Sequence, residues 1–201
     1  MNSLLRRLQL WQKFAILGAI GVTLAGVPLY QVVTLQNSNV QVAEAEDAGL
    51  DLLRTAFALH MAVQHHERVA GTSPAARQAA QDPVDKQIKT LTSELQALGY
   101  DAAGRTAAAW STRWDTVKAQ AHQDAKAAAA QYGELDDSLL TVMDQVADTS
   151  GLSLDPVSES YYLMTVLVDH LPRLATEVHR LSVLGDEALA AKTITDRQRG
   201  E

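Results

Sequence analysis

Two short stretches hold the side chains best suited to binding chemistry. Gln64-His65-His66-Glu67-Arg68 closes one helical stripe, and Ser158-Glu159-Ser160-Tyr161-Tyr162 opens another. Arg68 can grip a carboxylate or a nitrate-like anion with paired donors, and a tyrosine supplies a hydroxyl or an aromatic wall. A helix start adds unsatisfied backbone N–H groups and a positive dipole end. His66, Arg68, Ser158, Ser160, Tyr161 and Tyr162 are therefore the candidate ligand-binding residues. The competing reading packs His66 on an apolar stripe and has the tyrosines close the top of a bundle.

Catalysis finds little to work with. The chain shows no nucleophile–base set, no phosphate loop and no catalytic carboxylate pair, so no enzyme activity and no catalytic residue are expected. The six histidines, His60, His65, His66, His122, His170 and His179, contain no HExxH. Adjacent His65 and His66 point about 100° apart on a helix, so no metal site and no cofactor are expected. There is no cysteine, which removes disulfides, thiol nucleophiles and cysteine-based zinc sites. Trp110 and Trp114, one turn apart, read as core, and Glu134, Asp136 and Asp137 read as a solvated face.

The elements that position these residues announce themselves by period. One apolar stripe runs Leu52, Ala56, Leu59, Val63, His66, Ala70, in steps of four and three. A second runs Val84, Ile88, Leu91, Leu95, Leu98. The third runs Trp110, Trp114, Val117, Ala121, Ala125, Ala128, Tyr132, Leu135, Leu139, Val142, Val146, and its extra step of four at Ala121 to Ala125 reads as a stutter in one long helix. A fourth runs Met164, Leu167, Leu171, Leu174, Val178, Leu181, and Pro172 inside it implies a kink. Such spacing belongs to helices packed at shallow angles.

Punctuation agrees with four helices. Ser73-Pro74 offers an N-cap followed by proline in the first turn, and Asp82-Pro83 a restart or kink. Gly99 to Gly104 and Ser150 to Pro156 separate the later stripes, with Asp155 or Ser158 as cap of the last. Alternating direction then puts the Gly71–Pro74 turn and the Ser150–Pro156 turn side by side at one end. A capping box, Thr195 with Gln198, begins another helix near the last residue, so the chain reads as a fragment.

A chemical step near residue 34 sets the location. Phe14 to Val33 contains no charged residue and is long enough for a ~30 Å hydrocarbon core. Arg6, Arg7 and Lys13 precede it, Trp11 and Tyr30 sit near its ends, and no acid occurs before Glu44. The positive-inside bias puts the N-terminus in the cytoplasm and the rest across the membrane. A cleaved signal peptide competes, but the A-x-A-like site Ala43-Glu44-Ala45 lies well beyond the run. The exported region holds all 24 acids against 14 basic residues, the chain's 17 less Arg6, Arg7 and Lys13, a formal charge of −10. That balance excludes nucleic acid as a partner.

The segment Ser150-Gly151-Leu152-Ser153-Leu154-Asp155-Pro156, followed by Ser158-Glu159-Ser160-Tyr161-Tyr162-Leu163-Met164 and Leu171-Pro172-Arg173-Leu174, resembles a pattern of bacterial methyl-accepting chemotaxis proteins. Gln64-His65-His66-Glu67-Arg68 looks like a variant of the end of their first sensor helix. The resemblance implies a homodimer that binds a small-molecule ligand and signals by small helix shifts, with cytoplasmic partners reached only through parts beyond this segment. Similar input regions also precede histidine kinases and diguanylate cyclases. A membrane-anchored helical scaffold without a ligand accounts for the heptads equally well.

The expected fold is all-α: a transmembrane helix followed by an elongated antiparallel four-helix bundle, incomplete at its C-terminus. Residues 1–13 are expected as a cytoplasmic stub, 14–34 as a span of the bacterial inner membrane, and 35–201 as a periplasmic sensor bundle.

Overall fold

A computed structural model describes residues 9–120, 125–154 and 158–192. Every regular element among them is helical, so the fold is all-α. In chain order these are α1 (Leu10–Val69), α2 (Pro74–Ala97), α3 (Asp101–Gln120), α4 (Ala125–Ser150), a 3-10 turn (Leu152–Leu154), α5 (Ser158–Met164), a π-helical segment (Thr165–His170) and α6 (Leu171–Ala191). The chain divides into two compact units, Met1–Glu44 and Ala45–Glu201.

Within the first unit α1 presents apolar side chains all round, among them Phe14, Leu17, Ile20, Leu24, Leu29 and Val33, all exposed. Its best window of 18 residues has a mean hydropathy of 1.8, long and apolar enough to cross a membrane. The hydroxyls of Thr23 and Thr34 donate to the carbonyls of Ala19 and Tyr30, each at 2.8 Å. Such back-bonding satisfies a hydroxyl without water.

The second unit is built on the stripe Leu52, Ala56, Leu59, Val63, His66, Ala70 of α1, every member of which is buried. Ser73 caps α2 by accepting from the Ala76 N–H at 3.2 Å, with Pro74 in the first turn. Helix α2 runs through Pro83 without a break. It buries Val84, Ile88, Leu91 and Leu95, leaving Leu98 half exposed. Gly99, at φ +74°, makes the turn into α3, whereas Gly104 is already helical.

The third stripe belongs to two helices rather than one. Helix α3 ends at Gln120, α4 begins at Ala125, and the two pack antiparallel. Trp110 Nε1 donates to the Leu135 carbonyl at 2.9 Å, and Thr106 Oγ1 to Gln145 at 3.0 Å. The extra step of four in the stripe coincides with this reversal. A heptad seam continues across a reversal because both helices turn the same kind of face to the core.

That extra reversal changes where the later elements lie. Helix α4 runs antiparallel to α1, pairing His66 with Tyr132, His60 with Asp136, and Gly49 with Ser150. The turn after Ser150 therefore sits beside Gly49, at the opposite end of the bundle from Gly71–Pro74. The expectation of two neighbouring turns is corrected accordingly.

The fourth stripe is also corrected. Leu167, Leu171, Leu174, Val178 and Leu181 are exposed, while Pro172, Thr176 and His179 face inward. Helix α6 docks on α4 through ion pairs, Arg173 to Asp144 and Arg180 to Asp137, both 2.9 Å. Pro172 lacks an N–H and is the second residue of α6, next to Leu171, whose N–H closes the π-helical segment by reaching back five residues to the Val166 carbonyl. The wider π turn takes up the disturbance expected as a kink. Asp155, Pro156, Thr195 and Gln198 lie outside the described residues.

Gly49 marks the closest approach of α1 and α4. A Cβ there would overlap Ser150 Cβ and Oγ and press on Leu152 Cδ1 at 3.2 Å. Gly49→Ala should lower unfolding stability by about 1–3 kcal/mol, as overpacking does, and Ser150→Gly in the same chain should recover part of the loss. Urea unfolding of the two variants checks this; an unchanged midpoint for Gly49→Ala would rule out the contact.

Candidate functional site

Polar residues enter the core on three helices, each beside an apolar stripe. On α1 they are His60, Gln64 and Glu67, on α4 Asp136, and on α6 Thr176 and His179. Gln64 Nε2 lies 2.7 Å from His60 Nε2, and Thr176 Oγ1 lies 3.2 Å from the same nitrogen. An amide that donates to Nε2 leaves the proton of the neutral ring on Nδ1. Nδ1 faces Asp136 Oδ1 across 3.6 Å, beyond hydrogen-bond reach, and both atoms are buried without a partner among the described residues. Next to them His179 Nε2 meets Glu67 Oε2 at 2.6 Å.

Burial governs the charges here. It holds the His60 ring down to about 4, with His179 adding to the effect. It pushes the Asp136 carboxyl up to about 7, helped by the negative charge of Glu67. Charged forms are disfavoured because little solvent or counter-charge reaches them. Asp136 thus lies in the core rather than on the solvated face expected of Glu134, Asp136 and Asp137. Its spacing carried a signal: Asp136, Leu140, Met143 and Ala147 form a second buried stripe beside Leu135, Leu139 and Val142.

His66 sits elsewhere in the core. Its Nδ1 is 2.6 Å from Tyr132 Oη, and its ring meets Trp114 edge-on at 4.8 Å between centroids. Burial first, then Arg77, hold the ring down to about 4, so it is neutral at ordinary pH. Trp110 and Trp114 are both buried and stacked, and Trp114 Nε1 donates to Asp85 at 2.7 Å.

A cavity of about 420 Å³ opens at the other end of the bundle, where α4, the 3-10 turn, α5 and the π-helical segment meet. Tyr161 lines it, with Asp144, Asp148, Thr165, Asp169 and Arg173. Arg173 is shared between Asp169, at 2.5 Å, and Asp144, at 2.9 Å. Burial raises the Asp144 pKa against the pull of Arg173, whereas the hydrogen bond from Arg173 holds Asp169 down. Three carboxylates thus face one guanidinium that two of them already hold. The cavity favours a cationic group over a simple anion.

The six candidate residues do not converge. His66 is enclosed by Trp114 and Tyr132. Arg68 is exposed near the end of α1. Tyr161 and Tyr162 pair edge-on at 5.6 Å beside the cavity, at the opposite end. Ser158 and Ser160 belong to α5, and their side chains lie outside the described residues. Sequence reasoning missed Asp144, the pair Asp169 and Arg173, whose i and i+4 spacing was visible, and the buried pair His60–Asp136. Among the described residues no group of three or more histidine or acidic side chains is arranged to hold a metal ion. No family model, curated protein or solved structure matches this chain.

Proposed function

We propose that this chain is the membrane-anchored, ligand-sensing input region of a chemoreceptor-like transmembrane protein, with the second unit in the periplasm of a bacterium. The observation that carries this reading is the cavity lined by Tyr161, which abuts the π-helical segment leading into α6. Single π turns inside helices are frequent at functional sites, and a ligand there would bear directly on the register of α6. The apolar, charge-free run of α1 supports membrane anchoring. The resemblance to methyl-accepting chemotaxis proteins, through Tyr161-Tyr162-Leu163-Met164 and Leu171-Pro172, supports the output class.

The ligand is read as a small molecule with an ammonium or guanidinium group, because the lining is acidic. In the full chain in detergent, the thermal midpoint should rise with one member of a panel of amines, amino acids and organic acids. Linkage gives about 2.7 kcal/mol of stabilisation at one hundred times Kd. Tyr161→Ala should abolish the rise. A folded chain with a flat response to the whole panel would replace the sensor with the ligand-free scaffold.

The homodimer of this reading closes through α6. Leu167, Leu171, Leu174, Val178 and Leu181 repeat in steps of four and three and stand exposed, a spacing suited to pairing with an identical helix. Replacing Leu174 and Leu181 by Asp should convert a dimer into a monomer by light scattering in detergent. An unchanged mass would move the dimer contact elsewhere.

A further inference from the structure

We propose that Asp136 is a proton-sensing residue: the proton on its buried carboxyl keeps α6 docked against α1 and α4, and losing that proton releases α6. Asp136 is 3% exposed, and its Oδ1 faces the Nδ1 of fully buried His60 at 3.6 Å, with no partner for either atom among the described residues. A neutral acid tolerates that arrangement, but an isolated carboxylate does not.

The groups around it explain why no neighbour rescues the charge. From α1, His60 is held neutral by burial, and Glu67 is a second acid. From α4 itself, Asp137 adds another negative charge. From α6, His179 is engaged by Glu67 at 2.6 Å, and Arg180 is engaged by Asp137 and Glu177 at 2.9 and 3.1 Å. His179 and Arg180 favour the ionised form, yet burial and the two acids outweigh them and leave the carboxyl up to about 7.

At this level α1 and α4 also share apolar core, with Leu59 and Val63 beside Leu135 and Leu139, whereas α6 reaches α1 through polar contacts. Thr176 and His179 are the inward side chains of α6 there, and they touch His60 and Glu67. A charge appearing on Asp136 therefore acts on the contacts that hold α6. The folded chain keeps a proton that the unfolded chain has shed from its ordinary value of 3.8 upward, so the carboxyl's contribution falls as pH rises from 3.8 through about 7. His60 works in the opposite direction, disfavouring the folded state as pH falls from 6.5 to about 4. Docking of α6 is then strongest in mildly acidic solution and weakens toward alkaline pH. This does not depend on a ligand in the cavity.

Hydrogen exchange by mass spectrometry on the full chain in detergent, corrected for intrinsic rates, tests the proposal. Between about pH 6 and about pH 8.5, protection of Leu171–Ala191 should fall about threefold, the roughly tenfold loss from Asp136 being offset about fourfold by His60, while Pro74–Ala97 stays constant. Asp136→Asn, which mimics the protonated acid, should keep α6 protected throughout. A flat profile in the natural chain, or the same fall in Asp136→Asn, overturns it. If that variant does not fold, carboxyl carbon NMR of the natural chain decides: an Asp136 titration midpoint near 7 supports the proposal, and one near 4 overturns it.

Discussion

Polar side chains drawn into an otherwise apolar bundle fix how its helices meet. His66 must find Tyr132, and Trp110 must find the Leu135 carbonyl, because a buried polar atom left alone costs about 1–3 kcal/mol. Leucine and alanine stripes alone would permit several registers, since apolar contacts are not directional. Trp110 fixes α3 on α4, while His66 on Tyr132 and Gly49 against Ser150 set α1 and α4 antiparallel in one register. Everything that follows, including the placement of α6 and the cavity, is built on that pairing.

Helix α6 is held differently. Its inward face is Thr176 and His179, with Arg173 and Arg180 reaching acids of α4, and its apolar face points away. Half-exposed ion pairs of this kind contribute little each, on the order of 0–1 kcal/mol. A helix attached mainly by polar contacts, and entered through a π turn, is suited to move. This is the physical basis on which a ligand beside Tyr161 and a proton on Asp136 would both act on the same element.

Much of the fold was legible in the spacing. The first stripe, the second as far as Leu95, the Ser73 cap and the apolar run of α1 are as the sequence implied, because each rests on local chemistry. The stutter at Ala121 to Ala125 was visible, but a period alone does not distinguish a continued helix from a reversal. The fourth stripe misled for a related reason: periodicity identifies a face, not what covers it. Thr176 and His179 look unpromising as core until Glu67 and His60 are known to lie opposite. The candidate site suffered most, since two motifs assigned to one end lie at opposite ends once the added reversal is counted.

The antiparallel pairing of α1 with α4 is best tested by distance. The chain has no native cysteine, so spin labels at R68C and Y162C can be placed on exposed positions without further change. Pulsed electron resonance on the full chain in detergent should give a separation beyond about 25 Å, the rise of some sixteen helical residues of α4. A separation of about 15 Å or less, measured within one chain, would put the two turns side by side, and the arrangement described for α4, the cavity and α6 would be contradicted.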